Sequence, residues 1–375
     1  MTITAFSVSH STPQSVGFYI DTPAGTIVNA GDFKLDPTVT WGPGFNEEQF
    51  KRIVKKRVDL LLLDSTGADR AGAPQQEKDL QDILHKLIKE NPDKRFVATV
   101  MGGFEENLAS CAKVAAETGR ALFVAGAAHE QSLDALARTG LSLKDYVGYT
   151  LDLRILTKGR EAFNLASMKP ANAMVILTGA LGHQHAELTK AARGQSQKIK
   201  LDPKQDVILF CAPSIPGQEA GREKLIAHLK AQGFSVLTHK DIPALYPRAH
   251  AGQDEMIRLI ELAQPKVIIP QHGNDHLREK AANLCKAHSK AEVITLKNAE
   301  AVEMRGDKFV RIENETEAEA RQQWLGLKTR QGRNWKNRDY FVIHAPQDDA
   351  ALHAVEKDRH QGKAMPKAYT LYQRR

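Results

Sequence analysis

Histidine and aspartate at the ends of strand-like runs are the residues from which an α/β scaffold can build a metal site, since both offer nitrogen or oxygen donors to a divalent cation. His250 lies in Ala249-His250-Ala251-Gly252, just ahead of a helix-like run, and His272 lies in Pro270-Gln271-His272-Gly273, just after the apolar run Val267-Ile268-Ile269. Near the start of the chain, His10 in Ser9-His10-Ser11 and Asp32 in Gly31-Asp32-Phe33-Lys34 each follow a strand-like run. The interval between them equals that between His250 and His272. Asp64, in Asp64-Ser65-Thr66, closes a further apolar run. Each also has an ordinary reading. A single histidine beside a strand is commonly a satisfied polar residue, Asp32 suits a turn aspartate, and Asp64 suits a helix cap. Gly182-His183-Gln184-His185-Ala186-Glu187 has ligand-like spacing but opens a helix, on which residues two apart diverge. His183 and His185 are therefore read as solvated first, as phosphate contacts at a helix N-terminus second, and as metal ligands last.

The elements that must carry these residues are legible from apolar periodicity. Strands are expected over 2–8, 16–20 and 26–29, with a tight turn at Asp21-Thr22-Pro23-Ala24-Gly25. A helix over 47–56 and a buried strand over 58–63 follow. From residue 76 helices and strands alternate: helices over 78–89, 105–118 and 219–231, and strands over 96–100, 121–125, 174–177, 207–210 and 234–237. Such alternation predicts a parallel sheet covered on both faces. It continues through helix 253–263, strand 267–270, helix 276–288 and strand 292–296. A short hairpin turns at Gly306, and the polar residues beyond 313 suit helix and extended tail without a core.

A chain of 375 residues, 42% hydrophobic and 26% charged, is long for one domain and ordinary for a soluble globular protein. No transmembrane run or secretory signal is visible. Three scattered cysteines exclude a disulfide framework and a cysteine-based zinc site. A cytoplasmic protein fits best. The net charge of +7 suits a polyanionic partner. Lys328, Arg330, Arg333, Lys336 and Arg338, interleaved with Trp335 and Tyr340, read equally as a solvated tail or as a phosphate-backbone contact.

Taken together, Phe6-Ser7-Val8-Ser9-His10-Ser11-Thr12-Pro13-Gln14-Ser15, Gly31-Asp32-Phe33-Lys34-Leu35-Asp36-Pro37, Asp64-Ser65-Thr66, Thr178-Gly179, Pro213-Ser214-Ile215-Pro216-Gly217-Gln218-Glu219, His250-Ala251-Gly252 and Pro270-Gln271-His272-Gly273 resemble, in order, the ribonuclease J group of metallo-β-lactamase-fold nucleases with a β-CASP insertion. The resemblance runs from residue 1 to about residue 310. It implies an α/β protein: an αββα sandwich, incomplete in its first lobe, interrupted by a parallel-sheet β-CASP lobe. The implied divisions are 1–75 and 246–312 for the metallo-β-lactamase lobe, 76–245 for the β-CASP lobe and 313–375 for a basic tail. It also implies two divalent ions, zinc as a rule, with His10 a ligand of the first, His272 of the second and Asp32 the bridging carboxylate. His250 is then the catalytic histidine at the scissile phosphate, Asp64 its acidic partner, and Ser214, Gly217, Ala251 and Gly252 the substrate contacts.

The departures bear on activity. The His-x-His-x-Asp-His motif that the group carries ahead of the His10 position does not occur in this sequence, and with it go two expected ligands of each metal. Zinc normally takes three or four protein ligands. Arg248-Ala249 and Cys211-Ala212 stand where the group has Ser-Gly and serines, and its C-terminal domain is not recognisable. The expected function is metal-dependent RNA phosphodiester hydrolysis, impaired in this chain alone, with RNA as partner. The alternatives are a non-catalytic RNA- or partner-binding protein, or one part of a split or mis-started nuclease complemented by an N-terminal segment. A homo-oligomer is also open. An open sheet edge and an uncovered apolar face are expected where strands are missing.

Overall fold

The apolar runs are realised as two six-stranded sheets. The structure, a computed structural model, describes residues 1–312 apart from residues 56, 149, 157–158, 213–216, 298–299 and 306–307. Ser214, the turn at Gly306 and the basic tail with its Lys328–Arg338 cluster thus lie outside the described residues.

In chain order the strands are β1 (Thr2–Ser7), β2 (Val16–Thr22), β3 (Gly25–Asn29), β4 (Leu60–Asp64), β5 (Arg95–Val100), β6 (Ala121–Ala125), β7 (Leu153–Ile155), β8 (Ala173–Leu177), β9 (Asp206–Cys211), β10 (Ser235–Thr238), β11 (Val267–Gln271) and β12 (Glu292–Val293), followed by a hairpin of β13 (Ala301–Arg305) and β14 (Lys308–Ile312). The first sheet is mixed and runs β1-β2-β3-β4-β11-β12. The β1–β2 and β2–β3 pairs are antiparallel, whereas β3, β4, β11 and β12 are parallel. The second sheet runs β10-β9-β5-β8-β6-β7 and is parallel throughout. This is an α/β fold of the kind expected. The central strands read as unbroken apolar runs because both faces are covered: every residue of β4, β5, β6, β8 and β9 is buried.

One face of the mixed sheet packs Phe6, Val28, Leu61, Leu63 and Ile268 against helices Glu47–Ile53, Gln253–Ala263 and Asp275–His288, through Phe50, Met256, Leu259, Ile260 and Ala281. The opposite face holds a smaller cluster of Ile27, Leu60, Leu62, Val267 and Ile269, with Val302 and Phe309 of the hairpin upon it. Toward the β1 edge this face leaves Ile3, Val16 and Phe18 exposed. Gly17 stands opposite Phe6 in the β1–β2 pair, where a Cβ would lie 2.3 Å from the Phe6 ring.

Some boundaries differ from expectation. The first helix ends at Ile53: the Val54 N–H closes it on the Phe50 carbonyl, the Lys55 N–H turns to the Ile53 carbonyl, and Val58 is already bonded to Ala263. Only Glu292 and Val293 of the expected last strand pair with β11. Between residues 127 and 192 the chain forms helices Ala127–Arg138, Leu143–Val147, Arg160–Ser167 and Glu187–Ala192, besides β7. Of these only the last was anticipated, as the helix that Gly182–Glu187 opens. Most are short and half exposed, and their apolar stripes are too brief for periodicity to distinguish. Among the described residues no helix is long and apolar enough to cross a membrane.

A buried polar seam joins the two sheets. Lys34 Nζ lies 3.1 Å from Asp36 and 3.3 Å from Glu77, with all three carboxylate and ammonium groups about 1% exposed. Ser110 donates to Glu77 at 2.8 Å, and Glu106 accepts the backbone N–H groups of Thr40 and Trp41. Burial, then the charge of Glu77, pushes the Glu106 carboxyl well above the usual range. Trp41, on the loop between the seam and the first helix, is fully buried in the core under the parallel sheet, beside Leu80 and Leu84.

Candidate metal centre

β1 and β3 are each antiparallel to β2, and β4 and β11 run parallel to β3, so all four end at one edge of the mixed sheet. The loops leaving that edge carry His10 after β1, Asp32 after β3, Asp64 at the end of β4 and His272 after β11. His250 arrives from the loop ahead of helix Gln253–Ala263. The His10 loop is pinned by a two-hydrogen-bond bridge between Ser9 and Lys34 and by the Ser9 hydroxyl donating to the Asp36 carbonyl. The turn at His272 is tight enough that the histidine itself has φ +57°, followed by Gly273 at φ +73°. A left-handed histidine costs backbone energy, and such strain gathers at functional positions.

These loops bring five side chains together. His272 Nε2 lies 3.7 Å from Asp32 Oδ2. His10 Nε2 is 3.5 Å from His250 Nε2, and the His250 and His272 rings are 5.4 Å apart between centroids. Donor atoms of His10, Asp32 and His250 all fall within 4.8 Å of one another, as do those of Asp64, His250 and His272. Burial, reinforced by His250, Lys34 and His272 and opposed by Asp64, pushes the His10 imidazole down to about 3. It is therefore neutral at physiological pH, the form that binds a metal.

Asp64 serves two neighbours at once. Its Oδ1 accepts the Thr66 N–H at 2.9 Å and the Thr66 hydroxyl at 2.7 Å, while Oδ2 accepts His250 Nδ1–H at 2.7 Å. Burial raises the Asp64 carboxyl, but the hydrogen bond and charge of His250, the Thr66 N–H and the charge of His272 outweigh it and hold it below the usual range. The turn geometry and the pairing to His250 are thus both present.

Of the other residues singled out from sequence, Gly217 is exposed with φ +84°. Ala251 and Gly252 are buried in the loop behind His250, where the Ala251 N–H donates to the Phe33 carbonyl at 2.6 Å. His183 and His185 are exposed and contact Gln218 and Gln184, away from the donor cluster. Ser11, which sequence reading passed over, sits 3.1 Å from His10 Nδ1 and orients that ring. Its adjacency to His10 was the available signal.

The donor set can be tested against an ion. Bonds of roughly 2.0–2.2 Å to a tetrahedral zinc place donors about 3.4 Å apart, and the contacts here approach that spacing. Three donors with an open position fit one divalent ion. They do not fit two: the two clusters share His250, and Asp64 Oδ1 and Oδ2 are already engaged.

Comparison with known proteins bears on the chain as a whole. Residues 93–229 match the family model described as the β-CASP domain of ribonuclease J. Over 286 residues the chain is 29% identical to ribonuclease J 1 of Streptococcus pyogenes serotype M3, covering 76% of this chain and 48% of that protein. Ribonuclease J of Thermus thermophilus is 30% identical over 278 residues, covering 72% and 45% respectively. The chain is ribonuclease J-like and carries a β-CASP domain. This ribonuclease J-like chain spans about half the length of the curated relatives it matches. A crystal structure of a protein of unknown function from Enterococcus faecalis V583 shares the fold, with TM-score 0.54 at 16% identity over 83% of this chain and 64% of that one. The mixed sheet and the all-parallel sheet are consistent with a metallo-β-lactamase and β-CASP arrangement.

Proposed function

We propose that this chain binds RNA and hydrolyses its phosphodiester bonds at a site holding one divalent ion, zinc by its nitrogen and oxygen donors. The observation that carries the reading is the His250–Asp64 pair set between His10 and Asp32, whose donor atoms gather with His250, and His272, which lies 3.7 Å from Asp32. In this reading residues 1–75 and 246–312 form the partial αββα lobe, residues 76–245 form the β-CASP lobe, and RNA lies between them.

His10, Asp32 and His272 would hold the ion, which when bound supplies Lewis acidity toward the phosphate and the attacking water. Asp64 keeps the proton of His250 on Nδ1, so Nε2 faces the reaction. Protonated, His250 donates from Nε2 to the leaving oxygen, and the ionised Asp64 carboxylate stabilises the imidazolium until it delivers that proton. Ala251 and Gly252 hold the His250 loop, and Gly217 with Ser214 would meet the substrate backbone.

The test is cleavage of 5′-labelled RNA by the purified chain at saturating zinc. Slow cleavage that chelator and Asp32→Ala each abolish supports the reading. Cleavage indifferent to both overturns it. The single-ion donor set also favours a second reading, an RNA- or partner-binding protein without turnover. RNA binding with no cleavage at any zinc concentration would establish that one instead.

A further inference from the structure

We propose that Arg70 and Arg248 form a second phosphate-binding subsite, which grips a backbone phosphate beside the one at His250; this rests on the RNA reading above. The two arginines come from loops locked together. A Cβ on Gly67 would fall 1.9 Å from the Ala251 carbonyl oxygen, and one on Gly252 would fall 2.2 Å from that of Gly72. Gln253 donates from its backbone to the Arg70 carbonyl at 3.0 Å and from its side chain to the Ala68 carbonyl at 2.9 Å. One loop leaves Asp64 and the other delivers His250, so both arginines flank the orienting pair rather than the donor cluster.

The two arginines differ in their partners: Arg70 has the exposed carboxylate of Asp69, and Arg248 has none among the described residues. Arg248 is half-buried, and it makes no hydrogen bond or ion pair with any described residue. Among the described residues Arg70 is its foremost charged neighbour, followed by the Tyr246 phenol and the Asp69 carboxylate. That carboxylate is exposed and lies 3.6 Å from Arg70 Nε, a long contact. Beyond Arg248 stands His239, whose Nδ1 is buried without a partner and whose ring packs 6.5 Å from Tyr246. His239 is surrounded mainly by cations: Arg222, Lys240 and Arg248, with Asp241 the one acid. Like charges partly removed from water are costly unless an anion joins them. Guanidinium forks match phosphate oxygens in pairs, which an ammonium cannot do. A dianionic or diester phosphate held by both guanidinium groups would sit beside the loop that delivers His250, as a neighbour of the scissile group.

The experiment measures binding of a five-nucleotide oligoribonucleotide to the full chain by fluorescence anisotropy across a salt series, in chelator so that no metal contributes. Arg248→Gln should weaken binding about tenfold and lower the salt slope by about 0.7. Arg248→Lys should keep the slope and recover only part of the affinity. Unchanged affinity and slope in Arg248→Gln and in Arg70→Gln, with wild-type binding intact, would overturn the subsite and leave the RNA reading standing. A parallel titration with inorganic phosphate, followed by phosphorus NMR, separates the two ideas. Saturable phosphate binding lost in Arg248→Gln supports the subsite even if the oligonucleotide does not bind, in which case the RNA reading falls. Equal phosphate binding by both proteins overturns the subsite.

Discussion

His250 Nδ1 lies 2.7 Å from Asp64 Oδ2, although one residue ends a strand near the start of the chain and the other precedes a helix far along it. The carboxylate is buried and its second oxygen is held by Thr66, so it cannot turn away from the imidazole. The pair is therefore a fixed device, with one tautomer and with the second nitrogen turned toward His10 Nε2.

Asp64→Asn should leave the fold and the zinc content unchanged while lowering turnover by about a hundredfold or more, because an amide does not stabilise an imidazolium. His250→Ala should likewise cost turnover more than metal. Turnover and zinc stoichiometry are measured on the same preparations. Equal loss of both in His250→Ala would make His250 a ligand rather than a proton donor.

Asp32→Ala should lower zinc affinity at least tenfold, since Asp32 supplies the carboxylate facing His272 and a three-donor site has no spare ligand. Isothermal titration with zinc checks it. An unchanged affinity would place the ion on the Asp64, His250 and His272 cluster instead.

Much of this arrangement was legible beforehand, and for a definite reason. His10, Asp32, Asp64 and His272 each follow an apolar strand, and strands that run parallel end at one edge, so position along the chain translates into convergence. Ser11, Arg70 and the seam at Lys34 were not legible, because their partners are set by loop packing that no periodicity encodes. The segment from 127 to 167 failed differently. Its helices bury few residues, His129 alone in Ala127–Arg138, Leu143 alone in Leu143–Val147 and Leu165 alone in Arg160–Ser167, so little of their pattern is set by a core.

Glu255 gives a pH signature. Burial raises its carboxyl to about 7, against the Leu35 N–H at 2.8 Å and the charge of Lys34, which favour the ion. The folded protein thus binds this proton more tightly than the unfolded chain, and stability falls as pH rises from the ordinary glutamate value of 4.5 through about 7. Glu255→Gln keeps an acceptor for Leu35 and removes the ionisation. It should be about 2 kcal/mol more stable than wild type at pH 8.5 and equal to it at pH 4. Urea unfolding at both values checks the difference. A constant offset would show that packing, not protonation, sets the effect.

Gly67→Ala probes the join between the two loops. The added methyl would meet the Ala251 carbonyl oxygen at 1.9 Å, a backbone atom that cannot swing aside. The loops must separate, so we expect a loss of about 2–3 kcal/mol in unfolding free energy and a fall in activity larger than that of a distant variant of equal stability. Wild-type activity in Gly67→Ala would show that the spacing of Asp64 and His250 does not depend on this contact.

Lys34 ties the site to helix Glu77–Glu90, and its removal should be felt at both. Among the described residues its ammonium is the one cation ion-paired with Asp36 and Glu77, all three nearly inaccessible to water. Lys34→Met leaves two buried carboxylates without their counter-charge, and breaking such a pair from one side costs about 3–5 kcal/mol. Removing Glu77 as well relieves part of that penalty. Lys34→Met with Glu77→Gln should therefore be more stable than Lys34→Met alone, with a coupling energy of about 1–3 kcal/mol between the two positions. The same backbone that carries Lys34 bridges to Ser9, one residue before His10. Loosening it should thus lower zinc affinity even at temperatures where the variant is fully folded. Denaturant unfolding of the four-member cycle, with zinc titrations alongside, tests both statements. Additive losses would mean that Lys34 and Glu77 are held by independent partners, and unaltered zinc affinity would mean that His10 is positioned by Ser11 and the sheet alone.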